Sequence, residues 1–215
     1  MASQDPTRTA LEIITPRLII RTAIQSDAEA YLNYLTTPGN FPFQEPEKDL
    51  TMERIRTRID KFADFTAKGE NGWIVIVLRD TNELIGNGGY NTFEPVDPAG
   101  FLLPGTTTLP PGERRMTDLG IGIDYRRWRK GYALEALEAL VEHARTNLGC
   151  EVFRIETGDD NQPWRSLMRV AGLGEFESRQ KASYDASQEV WAWKFDSGHW
   201  SRSIKKLKGD GKWFV

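Results

Sequence analysis

Residues 116–147 read MTDLGIGIDYRRWRKGYALEALEALVEHARTN, and the fold turns on how they are parsed. Leu119, Ile121 and Ile123 alternate with glycines, the period of a strand. From Ala133 the period lengthens. Ala133, Leu137, Leu140, Val141, Ala144 and Leu148 make one apolar helix face, with Glu135, Glu138, Glu142 and Arg145 opposite. Between the two, Arg126, Arg127, Arg129 and Lys130 crowd against the helix start at Gly131. A helix N-terminus presents unpaired N–H groups and a partial positive charge, so it attracts phosphate. Guanidinium and ammonium groups added there predict a ligand with several phosphates. Taken alone, the same cluster also reads as a solvated basic turn.

Upstream, LEIITPRLIIRTAI (11–24) reads as a first strand, and Ser26 and Asp27 supply caps for a helix over AEAYLNYL. The loop 36–48 carries Phe41 and Phe43, which predict that it lies over something. A second helical pattern runs through Ile55, Ile59, Phe62 and Phe65. WIVIVL (73–78) and LIGNGGY (84–90) flank a polar turn as a hairpin, with Gly86, Gly88 and Gly89 marking bulges or closely approached backbone. Residues 94–115, rich in proline, glycine and threonine, predict a long irregular insertion. Downstream come a strand over EVFRIET (151–157), a short helix from about Pro163 to Ala171, and a closing hairpin of EFESRQ and VWAWKF. Trp191 and Trp193 share one face of that last strand and are expected to pack together. The predicted organisation is a disordered leader (1–10), one domain (11–195) and a C-terminal tail (196–215). That tail is expected to be poorly ordered unless Trp213 and Phe214 dock. The element order is α+β with a mixed sheet.

Bulk properties narrow the classes. Hydrophobic and charged contents of 39% and 27% over 215 residues describe a single globular domain with a proper core. No run approaches the roughly 18–20 apolar residues of a membrane span, and the N-terminus lacks a secretory apolar core, so a cytoplasmic protein without membrane association is expected. The lone Cys150 forms no internal disulfide and reads as a small buried hydrophobe. A net charge of −3 argues against a nucleic-acid partner, so phosphate recognition is local. His143 and His199 lack the spacing of a ligand set, so no metal is expected.

Four stretches together carry a resemblance. GIGIDYRRWRKGYALEAL (120–137) looks like the coenzyme-A loop of the GNAT N-acetyltransferase superfamily, whose usual form is Q/R-x-x-G-x-G/A between a strand and a helix. TPRLIIRTAIQSDAEAY (15–31) resembles the opening of the branch that includes the ribosomal-protein N-terminal acetyltransferases. ELIGNGGY (83–90) resembles its third strand, and Asn161, ahead of a helix that ends near Gly172, resembles its second motif. The likeness spans roughly residues 12–195. It implies a mixed, mostly antiparallel central sheet of about six to seven strands flanked by helices. Departures fall at Trp128 (the Q/R position), Arg129 (often glycine), Leu134 (often threonine), Trp164 (the serine of the second motif) and Leu173 (its phenylalanine).

The resemblance implies transfer of an acetyl group from acetyl-CoA to a primary amine, with no metal. The cofactor would lie along the edge of Ile121, Gly122 and Ile123. Its pyrophosphate would meet the loop of Arg126, Arg127, Trp128, Arg129, Lys130, Gly131, Tyr132 and Ala133, and Asn161 would touch the pantetheine. Amines have pKa values of about 8 to 10.4, so a carboxylate must take a proton before attack. Asp118 stands where this branch commonly has glutamate and is the first candidate base, with Glu156 on the neighbouring strand second. A backbone N–H near Ile121 would stabilise the oxyanion. No general acid is evident. Phe41, Phe43, Tyr90 and Phe93 suggest an aromatic acceptor site, and the 94–115 insertion would narrow it, which favours a small-molecule amine over a protein N-terminus. A fold that binds acyl-CoA without transfer, as a sensor or interaction module, is the competing reading that Trp164 motivates. Either a monomer or a homodimer fits.

Overall fold

The computed structural model describes residues 11–43, 47–97 and 114–213, so the leader 1–10, most of the insertion and Phe214 lie outside the described residues. The chain opens as a hairpin, not a single strand. Pro16 has no N–H to give a ladder, and the chain reverses around it, Thr15 N–H donating to Leu18 O at 2.9 Å. Strands β1 (Glu12–Ile14) and β2 (Leu18–Arg21) pair antiparallel on either side of that turn. This reversal makes the sheet eight-stranded, against the six to seven expected.

Helices α1 (Ala28–Thr36) and α2 (Met52–Lys68) follow, then β3 (Gly72–Leu78), β4 (Leu84–Val96) and β5 (Arg114–Ile123). Glu94–Val96 and Arg114–Arg115, read from sequence as part of the insertion, extend these last two strands. Helix α3 (Tyr132–Asn147) leads to β6 (Cys150–Thr157), α4 (Gln162–Val170), β7 (Glu177–Lys181), β8 (Glu189–Asp196) and α5 (Ser197–Gly209). The sheet order is β1-β2-β3-β4-β5-β6-β8-β7. Among the described residues only β5 and β6 run parallel, joined through α3 as a parallel pair requires.

Helix ends follow local chemistry. Thr51 Oγ1 accepts from Arg54 N–H to open α2, and Gly69 in the left-handed region closes it. Asp27 does not cap α1 by its side chain. Its carboxylate accepts from Ile24 N–H and pairs with Arg21, within a 3₁₀ turn over Gln25–Asp27.

The sheet has a core on each face. On one, Leu18, Ile20, Ile76, Leu119, Phe153, Ile155 and Trp193 pack with Leu137, Leu140 and Val141 of α3. On the other, Val75 and Val77 meet Tyr31, Tyr34, Leu35, Ile55 and Ile59 of α1 and α2. The polar side of α3 is not simply solvated. Glu135 is buried, and the indole N–H groups of Trp213 and Trp200 donate to Glu138 and Glu142 at 2.9 and 2.7 Å. The stretch after Asp196 is therefore helical and packed, its first turn capped by Asp196 accepting from His199 N–H at 2.8 Å. Trp191 does not stack on Trp193. It lies between the guanidinium groups of Arg165 and Arg179, 3.9 and 5.1 Å from its ring centre.

Gly86 and Gly88 mark backbone approached too closely for a side chain. A Cβ at either would lie 2.2 Å from a β5 carbonyl oxygen. Cys150 is buried, and burial pushes its thiol up to about 12, so it is no nucleophile at neutral pH. Among the described residues no helix is long and apolar enough to cross a membrane.

Candidate active site

The β5–β6 ladder ends at Asp118 opposite Arg154. Beyond it, Leu119–Ile123 pair with β4, and Ile155–Thr157 pair with β8. The two parallel strands thus part into a wedge, and the β5 wall of that wedge keeps backbone groups without a strand partner. Pairing of this kind is open to any extended ligand.

A buried ion pair closes the narrow end. Asp118 Oδ2 accepts from Arg154 Nε at 2.8 Å, and its Oδ1 accepts from Asn91 Nδ2 at 2.9 Å. Glu94 and Glu156 stand 3.7 Å from the same guanidinium. Three carboxylates face one arginine. Burial pushes the Asp118 carboxyl above its ordinary value, while the Arg154 and Asn91 hydrogen bonds pull it down. Glu156 takes three further donors, from Gln180 Nε2, Ser183 N–H and Ser183 Oγ, at 2.9, 3.0 and 2.8 Å. The structure brings both candidate carboxylates to one place, each with its side chain buried.

At the wide end lies the basic loop. Arg126 is tied to Asp124 at 2.7 Å and Arg127 to Glu83, which leaves Arg129 and Lys130 exposed and without an ion pair among the described residues. The Arg126–Asp124 hydrogen bonds hold the Asp124 carboxyl below its usual range. Trp128 Nε1 donates to Ile123 O at 2.6 Å and staples the loop to the end of β5. The first helical hydrogen bond of α3 runs from Glu135 N–H to Gly131 O, so the N–H groups of Tyr132, Ala133 and Leu134 have no helical acceptor. Those N–H groups and two free cations suit a diphosphate.

Arg129 holds φ +62°, a left-handed conformation that strains any residue but glycine. Arg129→Gly is expected to raise thermal stability by up to about 1 kcal/mol, the usual scale of such strain. It should at the same time weaken binding of a diphosphate ligand, because a cation leaves the loop. A titration and a thermal melt on the same variant check both signs.

Other candidates sit elsewhere. Tyr90 is fully buried and donates to Leu140 O at 2.7 Å, so it belongs to the α3 core and not to an acceptor site. Phe93 packs beside it, ring centres 5.5 Å apart. Tyr90 opposes Leu119, itself in that core, and the bulge just beyond, where Asn91 is extra, brings Phe93 to the same α3 face. The same bulge aims Asn91 at Asp118, a role that single-strand periodicity does not reveal. Phe41 packs edge-on to Tyr34, ring centres 5.7 Å apart, while Phe43 is exposed beside undescribed residues. Asn161 caps α4, Oδ1 accepting from Trp164 N–H at 3.2 Å and Nδ2 donating to Thr157 Oγ1 at 2.8 Å. Trp164 is buried in the α3-side core. Among the described residues no group of three or more His, Cys, Asp or Glu could hold a metal ion.

A mixed sheet parted at one parallel pair, with an open helix N-terminus at its mouth, is the arrangement that the fold and site define. The acetyltransferase (GNAT) domain profile matches residues 17–173, and the chain belongs to this family of acetyl-CoA-dependent acetyltransferases. The N-acetyltransferase p20 of Bacillus licheniformis, itself uncharacterized, is 21% identical over 156 residues, 73% of this chain and 78% of that one. Two solved structures share the fold. A candidate ribosomal-protein-serine acetyltransferase from Vibrio cholerae superposes with a TM-score of 0.65 at 19% identity, covering 86% of this chain and 97% of its own. The apo form of FdhC, a nucleotide-linked sugar GNAT, superposes with a TM-score of 0.67 at 14% identity, covering 92% and 97%.

Proposed function

We propose that this enzyme transfers the acetyl group of acetyl-CoA to a primary amine, with Asp118 as base and a small-molecule amine as acceptor ahead of a protein N-terminus. The carrying observation is the parting of β5 and β6 immediately beyond the buried Asp118–Arg154 pair. Arg129, Lys130 and the N–H groups running to Ala133 would hold the diphosphate, and the Ile121–Ile123 edge would take the amides of the pantetheine arm. Bound there, acetyl-CoA supplies an electrophilic acyl carbon and a thiolate leaving group.

The protein's own residues do the rest. Arg154 and Asn91 fix the Asp118 carboxylate, and burial makes it a better base than an exposed aspartate. Asp118 removes the proton that an ammonium would otherwise keep at neutral pH, directly or through water. A backbone N–H near Ile121 polarises the acyl oxygen. Glu94 and Glu156 leave the vertex with more carboxylate than Arg154 neutralises, which favours a cationic acceptor.

Purified protein incubated with acetyl-CoA and a panel of small amines and N-terminal peptides, with free thiol followed, tests this reading. Thiol release with a small amine is the expected result. Preference for peptides would overturn the acceptor class, and no release with any amine would overturn the transfer.

A further inference from the structure

Beneath the loop lies an ion pair that joins the first hairpin to the first turn of α3. Glu135 is 1% exposed and takes three donors: Thr15 Oγ1 at 2.6 Å, Arg17 N–H at 2.9 Å and Arg17 Nε at 2.6 Å. The same guanidinium continues to the loop. Arg17 Nη1 donates to Lys130 O at 2.9 Å, and its carbon lies 4.6 Å from the centre of the Tyr132 ring. A Cβ on Gly131 would sit 3.3 Å from Arg17 Nη2. One side chain therefore supports Lys130, Gly131 and Tyr132 in succession. The turn that carries it is itself held, Arg79 Nη1 donating to Thr15 O at 2.8 Å and Arg79 N–H to Arg17 O at 3.0 Å.

The charges explain why both partners are needed. A carboxylate in the first helical turn is favoured by the helix dipole, but it draws on the same positive field that an anionic ligand would use. An uncompensated Glu135 would repel a diphosphate at the loop. Arg17 cancels that charge through Nε, while its backbone N–H holds the other carboxylate oxygen, and it braces the loop backbone through Nη1. Neither residue lies in the loop itself.

Resting on the reading of this loop as a diphosphate site, we propose that Arg17 and Glu135 are positioning residues for the acyl donor. Their pair holds the loop N–H groups in the arrangement that takes the diphosphate and keeps the Glu135 charge from opposing it. The role is specific to the phosphate end of the ligand, so it separates from general stability.

The test compares CoA, measured by calorimetry, with pantetheine, which lacks the diphosphate, measured by ligand-detected NMR. Arg17→Met is expected to weaken CoA on the order of ten- to hundredfold, the scale of one hydrogen bond to a charged group. Pantetheine affinity should stay unchanged. Arg17→Lys keeps the charge but cannot reach Glu135 and Lys130 together; it should fall between wild type and Arg17→Met, and it carries the test if the methionine variant fails to fold. Adding Glu135→Gln to Arg17→Met removes the repulsive charge and should recover part of the CoA affinity. An equal loss for both ligands, or an unchanged CoA affinity in a folded variant, would overturn the proposal. A wild-type chain that binds no CoA would instead overturn the functional reading beneath it.

Discussion

Asp118→Asn is expected to lower amine acetylation on the order of 10²- to 10⁴-fold at neutral pH, the usual reach of a general base, and to regain part of that rate at high pH. The recovery follows from the acceptor: above a pKa of about 8 to 10.4 an amine arrives already deprotonated and no longer needs the carboxylate. The substitution also disturbs the vertex. Asparagine keeps one acceptor for the two donors of Arg154 and Asn91, and it leaves Arg154 facing only Glu94 and Glu156 at 3.7 Å. Breaking a buried pair costs about 3–5 kcal/mol where no other counter-charge is near, and the two glutamates should keep the loss below that.

Arg154→Gln separates chemistry from architecture. It damages the same pair but retains the Asp118 carboxyl, which rises further with the cation gone. Its rate profile should keep the acid limb of the carboxylate, displaced to higher pH, whereas Asp118→Asn should lose that limb and keep only the rise set by the amine itself. Stability carries a matching sign. A carboxyl whose folded pKa lies above its unfolded value binds its proton more tightly when folded. Asp118 therefore supports folding at low pH and loses that contribution as pH rises through the folded pKa. Asp118→Asn should flatten that slope. An Asp118→Asn profile identical to wild type would remove Asp118 from the reaction.

Gly88→Ala should be among the most damaging small substitutions in the sheet. Its Cβ would lie 2.2 Å from Gly120 O and 2.9 Å from Ile121 Cα, both backbone atoms of β5, and Gly88 holds φ +154°. Neither atom can yield without moving the strand whose far edge forms the wedge. A loss on the order of 3 kcal/mol is expected from strain and overpacking together. For a chain of this length that corresponds to a fall of about 6–12 °C in Tm. Gly131→Ala offers the contrast. It is also at positive φ, but its Cβ would meet only the end of the Arg17 side chain at 3.3 Å, so about 1–2 kcal/mol is expected. Thermal melts of the two variants side by side check the order, and a smaller loss for Gly88→Ala would mean that β5 moves more freely than its packing indicates.

Much of this molecule is legible from local pattern. The strand and helix of residues 116–147, the β3–β4 hairpin and the close-packed glycines all announce themselves within a few residues, because side-chain period and backbone sterics are short-range effects. The basic loop is legible too, but not its internal accounting. Four cations in a row look equivalent, and only the folded chain shows Arg126 and Arg127 paired with Asp124 and Glu83. Tyr90 misleads for a related reason. An aromatic near glycines suggests a pocket, yet pairing with Leu119 sets it on the core face, where it reaches Leu140.

The sequence by itself determined the class of fold, the place of the basic helix start and the carboxylate just upstream of it, since each depends on neighbours along the chain. The tertiary structure decided which charges remain available. Glu135 looks solvent-facing by helical period, but a residue 118 positions earlier buries and neutralises it. The Asp118–Arg154 contact likewise spans 36 positions and exists only because two strands pair in parallel and then part. Electrostatic roles depend on distance in space and on burial, and neither is a property of the sequence read along its length.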